Sequence, residues 1–173
     1  PTNTVYYNSN CEYCEQAYNC DAERFCVMQN ALGKNITFTA QLDFDILNLD
    51  TSWEIAEVCS YAYYDYGEPA MNYLRDSPES SCSSLKNSDS SSGITSSRLM
   101  PPQQGWACID STEIIRNSQD LGYSNVFIDW LGQDLQLDNF PINCYYGTKA
   151  LDGCGSNPSG AADCRPYLRL GYK

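Results

Sequence analysis

The chain has 173 residues, 22 acidic against 10 basic side chains, ten cysteines, no histidine and a net charge of −12. That balance excludes a nucleic-acid binder, which sets cations against phosphate, and opposes docking on an anionic membrane. No apolar run approaches the roughly 20 residues of a membrane helix, so membrane insertion is not expected, and the length suits one domain with a real core.

The N-terminal Pro1-Thr2-Asn3-Thr4 has neither a basic region nor an apolar run, so it is not read as a signal peptide. Residues 1–10 are polar and uncharged apart from Val5, Tyr6 and Tyr7, and read as a short strand or an extended arm on a neighbour. Residues 11–32 read as helical, in one or two pieces, with Asn10 as cap and Gly33 as stop. Cys11, Cys14, Cys20 and Cys26 would pin that segment to the body. Asn35-Ile36-Thr37 is a glycosylation sequon, with Asn35 as the acceptor.

Phe38, Ala40, Leu42, Phe44 and Ile46 then alternate with polar residues, the period of a half-buried strand. Thr51-Ser52-Trp53-Glu54 has the form of a capping box, and Ile55, Val58, Cys59, Ala62, Tyr63 and Tyr66 follow at helical spacing. The expectation is a central amphipathic helix over about 52–66. Gly67-Glu68-Pro69 would end it, and Pro69 would open a short helix to Arg75. Residues 77–98 are a serine-rich excursion stapled by Cys82.

Beyond Pro101-Pro102 and Cys108, Asp110-Ser111-Thr112-Glu113 opens a helix over about 111–121, carrying Ile114, Ile115, Ser118 and Leu121 and stopped by Gly122. Residues 126–131 read as a strand, and Gly132-Gln133 as a tight turn to a return strand with Leu135 and Leu137. Residues 141–173 read as irregular coil held by Cys144, Cys154 and Cys164. The whole is expected to be α+β: a single compact disulfide-rich domain, residues 1–173, with its central helix packed on a small, mainly antiparallel sheet.

An even set of cysteines (Cys11, Cys14, Cys20, Cys26, Cys59, Cys82, Cys108, Cys144, Cys154 and Cys164) points to five disulfides and a secreted, extracellular protein. Lacking histidine, the chain is without the Ser-His-Asp and Cys-His pairs of nucleophilic hydrolases. Carboxylate chemistry remains, and a glycosidase needs only two acids across a cleft. The candidates are Asp43 with Asp45, Glu54 with Glu57, and Asp129 with Asp134, though each also suits a solvated strand, a helix start or a turn. Asp43, Asp45 and Asp50 form a weak calcium pattern without the glycine and glutamate of an EF-hand; no other cofactor is expected.

Fourteen tyrosines are the more distinctive feature. On a helix over 52–66, Tyr61 and Tyr64 lie off the buried stripe beside Glu57 and Asp65, a surface suited to stacking on sugars or to contacting protein. Residues 1–97 carry four basic and fourteen acidic residues, whereas 165–173 hold Arg165, Arg169 and Lys173 without an acid. A basic tail and an acidic body could join head to tail, or the tail could fold back on its own body. The leading expectation is a non-enzymatic, glycosylated structural protein, a self-assembling subunit of an extracellular fibre, surface layer or matrix. Its partners would be copies of itself, other extracellular proteins or glycans. The alternatives are a lectin-like carbohydrate-binding module and a small carboxylate-dependent glycoside hydrolase.

Overall fold

The structure, a computed structural model, describes residues 3–8, 24–31, 36–62, 69–77, 94–101, 103–133, 143–147, 154 and 163–172. Among these residues, ten strands and one helix follow in the order β1 (Asn3–Asn8), β2 (Arg24–Ala31), β3 (Ile36–Asp45), β4 (Ile55–Ala62), β5 (Ala70–Ser77), β6 (Thr95–Met100), β7 (Gly105–Asp110), α1 (Thr112–Asp120), β8 (Asn125–Leu131), β9 (Asn143–Tyr146) and β10 (Tyr167–Gly171). Pairing is antiparallel except between β1 and β3.

The first sheet runs β1-β3-β8-β5-β6. β1 holds one edge of β3 over 36–41; β2 (at 36 and 38) and β8 (over 39–45) share the other edge end to end. In the second sheet, β7 lies on one edge of β4, and β10 and β9 follow each other on the opposite edge. β2 belongs to both sheets. Its first half pairs with β9, its second with β3, and the register shifts after Met28.

Alternating side chains are buried between the sheets: Ala40 and Leu42, Leu74, and Val126, Ile128 and Trp130 from the first; Phe25 and Val27, Ala56, Val58 and Ala62, Ala107 and Ile109, and Tyr145 from the second. Ile114 and Ile115 of α1 join the same core.

The α+β expectation is therefore wrong: the described residues form two mainly antiparallel sheets with one short helix. The central helix over 52–66 is replaced by strand β4, and residues 63–68 lie outside the described set. Ala56, Val58, Ser60 and Ala62 point into the core with period two, while Glu57, Cys59 and Tyr61 lie on the other side of the strand, where Cys59 is itself buried beside its disulfide partner. The backbone N–H of Glu54, which a Thr51 cap would take, goes instead to the Gly171 carbonyl at 2.8 Å and opens the pairing with β10. Asp50, not Thr51, organises the approach; its carboxylate accepts the Ser52 N–H at 2.9 Å.

The expected helix over 11–32 is strand β2 from Arg24 onward, with Phe25 and Val27 inward; residues 11–23 are outside the described set. The short helix from Pro69 to Arg75 is strand β5, where Ala70, Asn72 and Leu74 alternate inward. Residues 77–98 begin and end in paired strands, β5 and β6, and 78–93 are outside the described set. The expected hairpin after Gly132 finds no free edge on β8, which pairs with β3 and β5 over 127–131; residues 134–140 are outside the described set. The C-terminal coil contains β9 and β10. There the tail lies back on the acidic body, with Arg169 clasping Glu57.

The strand at 37–46, the strand at 126–131 and the helix at 111–121 match β3, β8 and α1. Asp110 accepts the Thr112 N–H at 2.8 Å in the turn before the helix, and Gly122 at φ +75° ends it, a conformation that glycine adopts without strain.

Disulfides join Cys26 to Cys144, Cys59 to Cys108 and Cys154 to Cys164. Cys11, Cys14, Cys20, Cys82 and the sequon Asn35 are outside the described residues. Among the described residues no helix is long and apolar enough to cross a membrane. The three bridges are consistent with an oxidising, extracellular compartment.

Candidate docking surface

The outward side of β4 carries Glu57 and Tyr61, two of the residues singled out from the sequence. Both have partners within the chain. The Glu57 carboxylate takes two donors from Arg169, with Nε at 2.8 Å. Tyr61 sits edge-on to Trp106 at 5.4 Å between centroids, 5.7 Å from Tyr146, and all three pack against the Cys154–Cys164 bridge. Tyr167 continues the row, 5.1 Å from Trp106, and partial burial raises its phenol pKa. Tyr61 thus belongs to a satellite aromatic cluster. Tyr64 and Asp65 lie outside the described residues.

The acids proposed for calcium each have hydrogen-bond partners within the chain. Asp43 accepts the Asn125 amide at 2.8 Å. Asp45 accepts the Leu47 N–H at 2.9 Å. Asp50 is bound to Ser52, whose hydroxyl and N–H hold its carboxyl below the usual range. No cluster of three or more metal-ligating side chains occurs among the described residues.

Of the proposed acid pairs, Asp129 is fully buried. It bonds Gln41 at 3.0 Å and Arg75 at 2.9 Å, a row across β3, β8 and β5 on the outward side of the first sheet. Its proposed mate Asp134 is outside the described residues, and Glu54 is exposed. The outward side of β3 is not uniformly solvated, because Thr39 and Gln41 are each 1 % exposed.

Sequence reasoning missed what lies at one end of the two sheets. The 46–54 loop joins the end of β3 to the start of β4. The Ile46 N–H donates to the Ser124 carbonyl (2.9 Å), holding the entry to β8 beside it, and Gly171 at the end of β10 meets Ile55. Helix α1 ends there too: Gln119 donates to the Leu49 carbonyl (3.2 Å) and accepts from the Trp53 indole (3.1 Å), while Arg116 lies 4.3 Å over the Trp53 ring.

Six large apolar side chains are strongly exposed among the described residues, and five of them sit at this pole. They are Leu47 (66 %), Ile55 (54 %), Leu121 (58 %), Tyr123 (49 %) and Tyr172 (56 %). Ile55, assigned to a buried stripe from the sequence, points to solvent instead, as does Leu121 at the end of α1. Exposed Asp45, Asp50, Glu54 and Asp120 stand among these residues. Exposed apolar side chains and carboxylates brought to one end of the fold are the residue types of a protein-contact surface. The one sequence signal was that Leu47, Tyr123 and Tyr172 are large apolar residues just outside regular elements.

No family model matches the chain, and neither does any curated protein.

Proposed function

We propose that this chain is a secreted, glycosylated, non-enzymatic structural protein that docks into an extracellular fibre, surface layer or matrix. The observation that carries this reading is the gathering of Leu47, Ile55, Leu121, Tyr123 and Tyr172 at one pole. Isolated exposed apolar residues are ordinary, but several gathered at one end of a fold beside exposed acids are a recurrent feature of contact surfaces. Cross-strand disulfides stiffen the second sheet, whose β4 and β10 lead to the pole, and a stiff scaffold lowers the ordering cost of association. Glycan recognition by Tyr61 has less support, because that ring is edge-on to Trp106 and packed on a disulfide.

The test is electron microscopy and sizing of native material, with the Leu47→Ser/Leu121→Ser variant expressed in its place. The native protein is expected in large assemblies, and the variant is expected to be released from them while folded. Native material that is monomeric and unassociated would overturn the proposal.

A further inference from the structure

We infer that the occupant of this pole is a different protein presenting apolar side chains among lysines or arginines, rather than a second copy of this chain. The inference rests on the docking role just proposed and names the chemistry of the partner. It follows from the charges around the apolar group. Asp45, Asp50, Glu54 and Asp120 are exposed there, and Asp50 is held ionised by Ser52. Among the described residues the cations of the neighbourhood are engaged: Arg116 donates to the Trp53 carbonyl at 3.0 Å and covers its ring, and Arg169 is bound to Glu57.

A two-fold dimer would set this pole against itself, acid facing acid, since an isologous contact repeats the same patch on both sides. The chain as a whole carries −12 and repels its own copies. At physiological salt the Debye length is about 8 Å, so rim charges across a contact still act on each other. A cationic amphipathic surface meets both features at once, burying the leucines and tyrosines and pairing with the carboxylates.

The probes are three short peptides: alternating lysine and leucine, alternating lysine and serine, and alternating glutamate and leucine. Binding is read by fluorescence anisotropy at low and physiological salt. The lysine–leucine peptide should bind roughly tenfold or more tighter than either other peptide. Asp45→Asn/Asp50→Asn/Asp120→Asn should weaken it about tenfold while keeping the acceptor oxygens of the turns. Leu47→Ser/Leu121→Ser should weaken it at least as much.

Equal binding of the glutamate–leucine peptide, or no effect of the triple Asn variant, would overturn the cationic partner and leave the docking role standing. No effect of the double Ser variant would overturn the pole as a docking site. A wild-type dimer by light scattering that the double Ser variant dissolves would make the occupant a second copy, and so overturn the inference.

Discussion

Replacing Asn72 by alanine should be among the most damaging single changes in this protein. Asn72 is fully buried on the inward side of β5. Its Oδ1 accepts from the Trp130 indole at 2.8 Å and the Tyr145 hydroxyl at 2.9 Å; its Nδ2 donates to Asn143 at 2.8 Å and, at 3.4 Å, to the Ala70 carbonyl. Both donors and both acceptor positions of the amide are thus used, and two of its partners, Asn143 and Tyr145, belong to the other sheet. Burial raises the Tyr145 phenol pKa far above its ordinary value, so its hydroxyl stays a donor at any working pH. The ring packs on Trp130 at 4.8 Å and on Phe25 at 5.4 Å, so the amide also fixes an aromatic group in the core.

Truncation strands three buried polar groups. Each costs about 1–3 kcal/mol, and a water entering the space would recover part, so a loss of about 3–5 kcal/mol is expected. In urea, with disulfides intact and a slope of about 2 kcal/mol/M, the midpoint should fall by about 2 M. Tyr145→Phe alone should cost about 1 kcal/mol, because Asn72 keeps its bond from Trp130. The double variant should cost less than the sum, since removing the hydroxyl removes one stranded donor. A loss below about 1 kcal/mol for Asn72→Ala, or strict additivity in the cycle, would refute this account of the amide as the tie between sheets.

Asp129→Ala should cost about 3–5 kcal/mol by leaving the buried Arg75 guanidinium without its carboxylate, and Arg75→Met/Asp129→Leu should recover much of it; urea unfolding decides, and a near-neutral Asp129→Ala would contradict the pairing. Cys59→Ser/Cys108→Ser opens a bridge across 49 positions, for which chain entropy gives about 4 kcal/mol, and peptide mapping of the unreduced protein should recover the Cys59–Cys108 pair. Asp76 has its pKa raised by burial and then by the Asp129 charge. The folded state therefore holds that proton more tightly than the unfolded chain, and stability declines as pH climbs from the ordinary 3.8 through the raised value. Asp76→Asn should flatten that decline and raise the neutral-pH melting temperature, and parallel wild-type and variant profiles across the window would count against it.

The elements that could be read from the sequence are those whose signal is local. β3 alternates over nine residues, and α1 has a turn-forming acid before it, paired isoleucines within it and a glycine after it. β2, β9 and β10 are defined by distant partners; Cys26 faces Cys144 across 118 positions, and nothing near either one announces the pairing. β5 was obscured by Pro69, which suits a helix start as well as the residue before a strand. The docking pole is harder still. Its residues come from the β3–β4 loop, the first residue of β4, the end of α1 and the C-terminus, and only the pairing of β3 with β8 and of β4 with β10 brings them to one end. The acids of its rim were visible as charges, but their neighbours were not.

The misreading of β4 has one cause, and it explains how the disulfides act. Counted as a core residue, Cys59 completes a helical stripe with Ile55, Val58 and Ala62. Counted as a half-cystine on the outward side, it leaves Ala56, Val58, Ser60 and Ala62 alternating inward. The same arrangement recurs at Phe25-Cys26-Val27, where the apolar neighbours are buried and the cysteine bridges to β9. Both bridges join residues directly opposite on neighbouring antiparallel strands, with Cα atoms 4.0 and 4.1 Å apart. Such short separations belong to non-hydrogen-bonded pairs, whose side chains stand closest. The bridges therefore tie strands within the second sheet and not one sheet to the other. Between the sheets the hold falls to the shared core, to β2 and to the amide of Asn72, whereas the first sheet is braced laterally by Gln41, Asp129 and Arg75. A covalently stiffened sheet on one side and a polar-braced sheet on the other keep the pole between them in one shape, as a surface that docks without refolding requires.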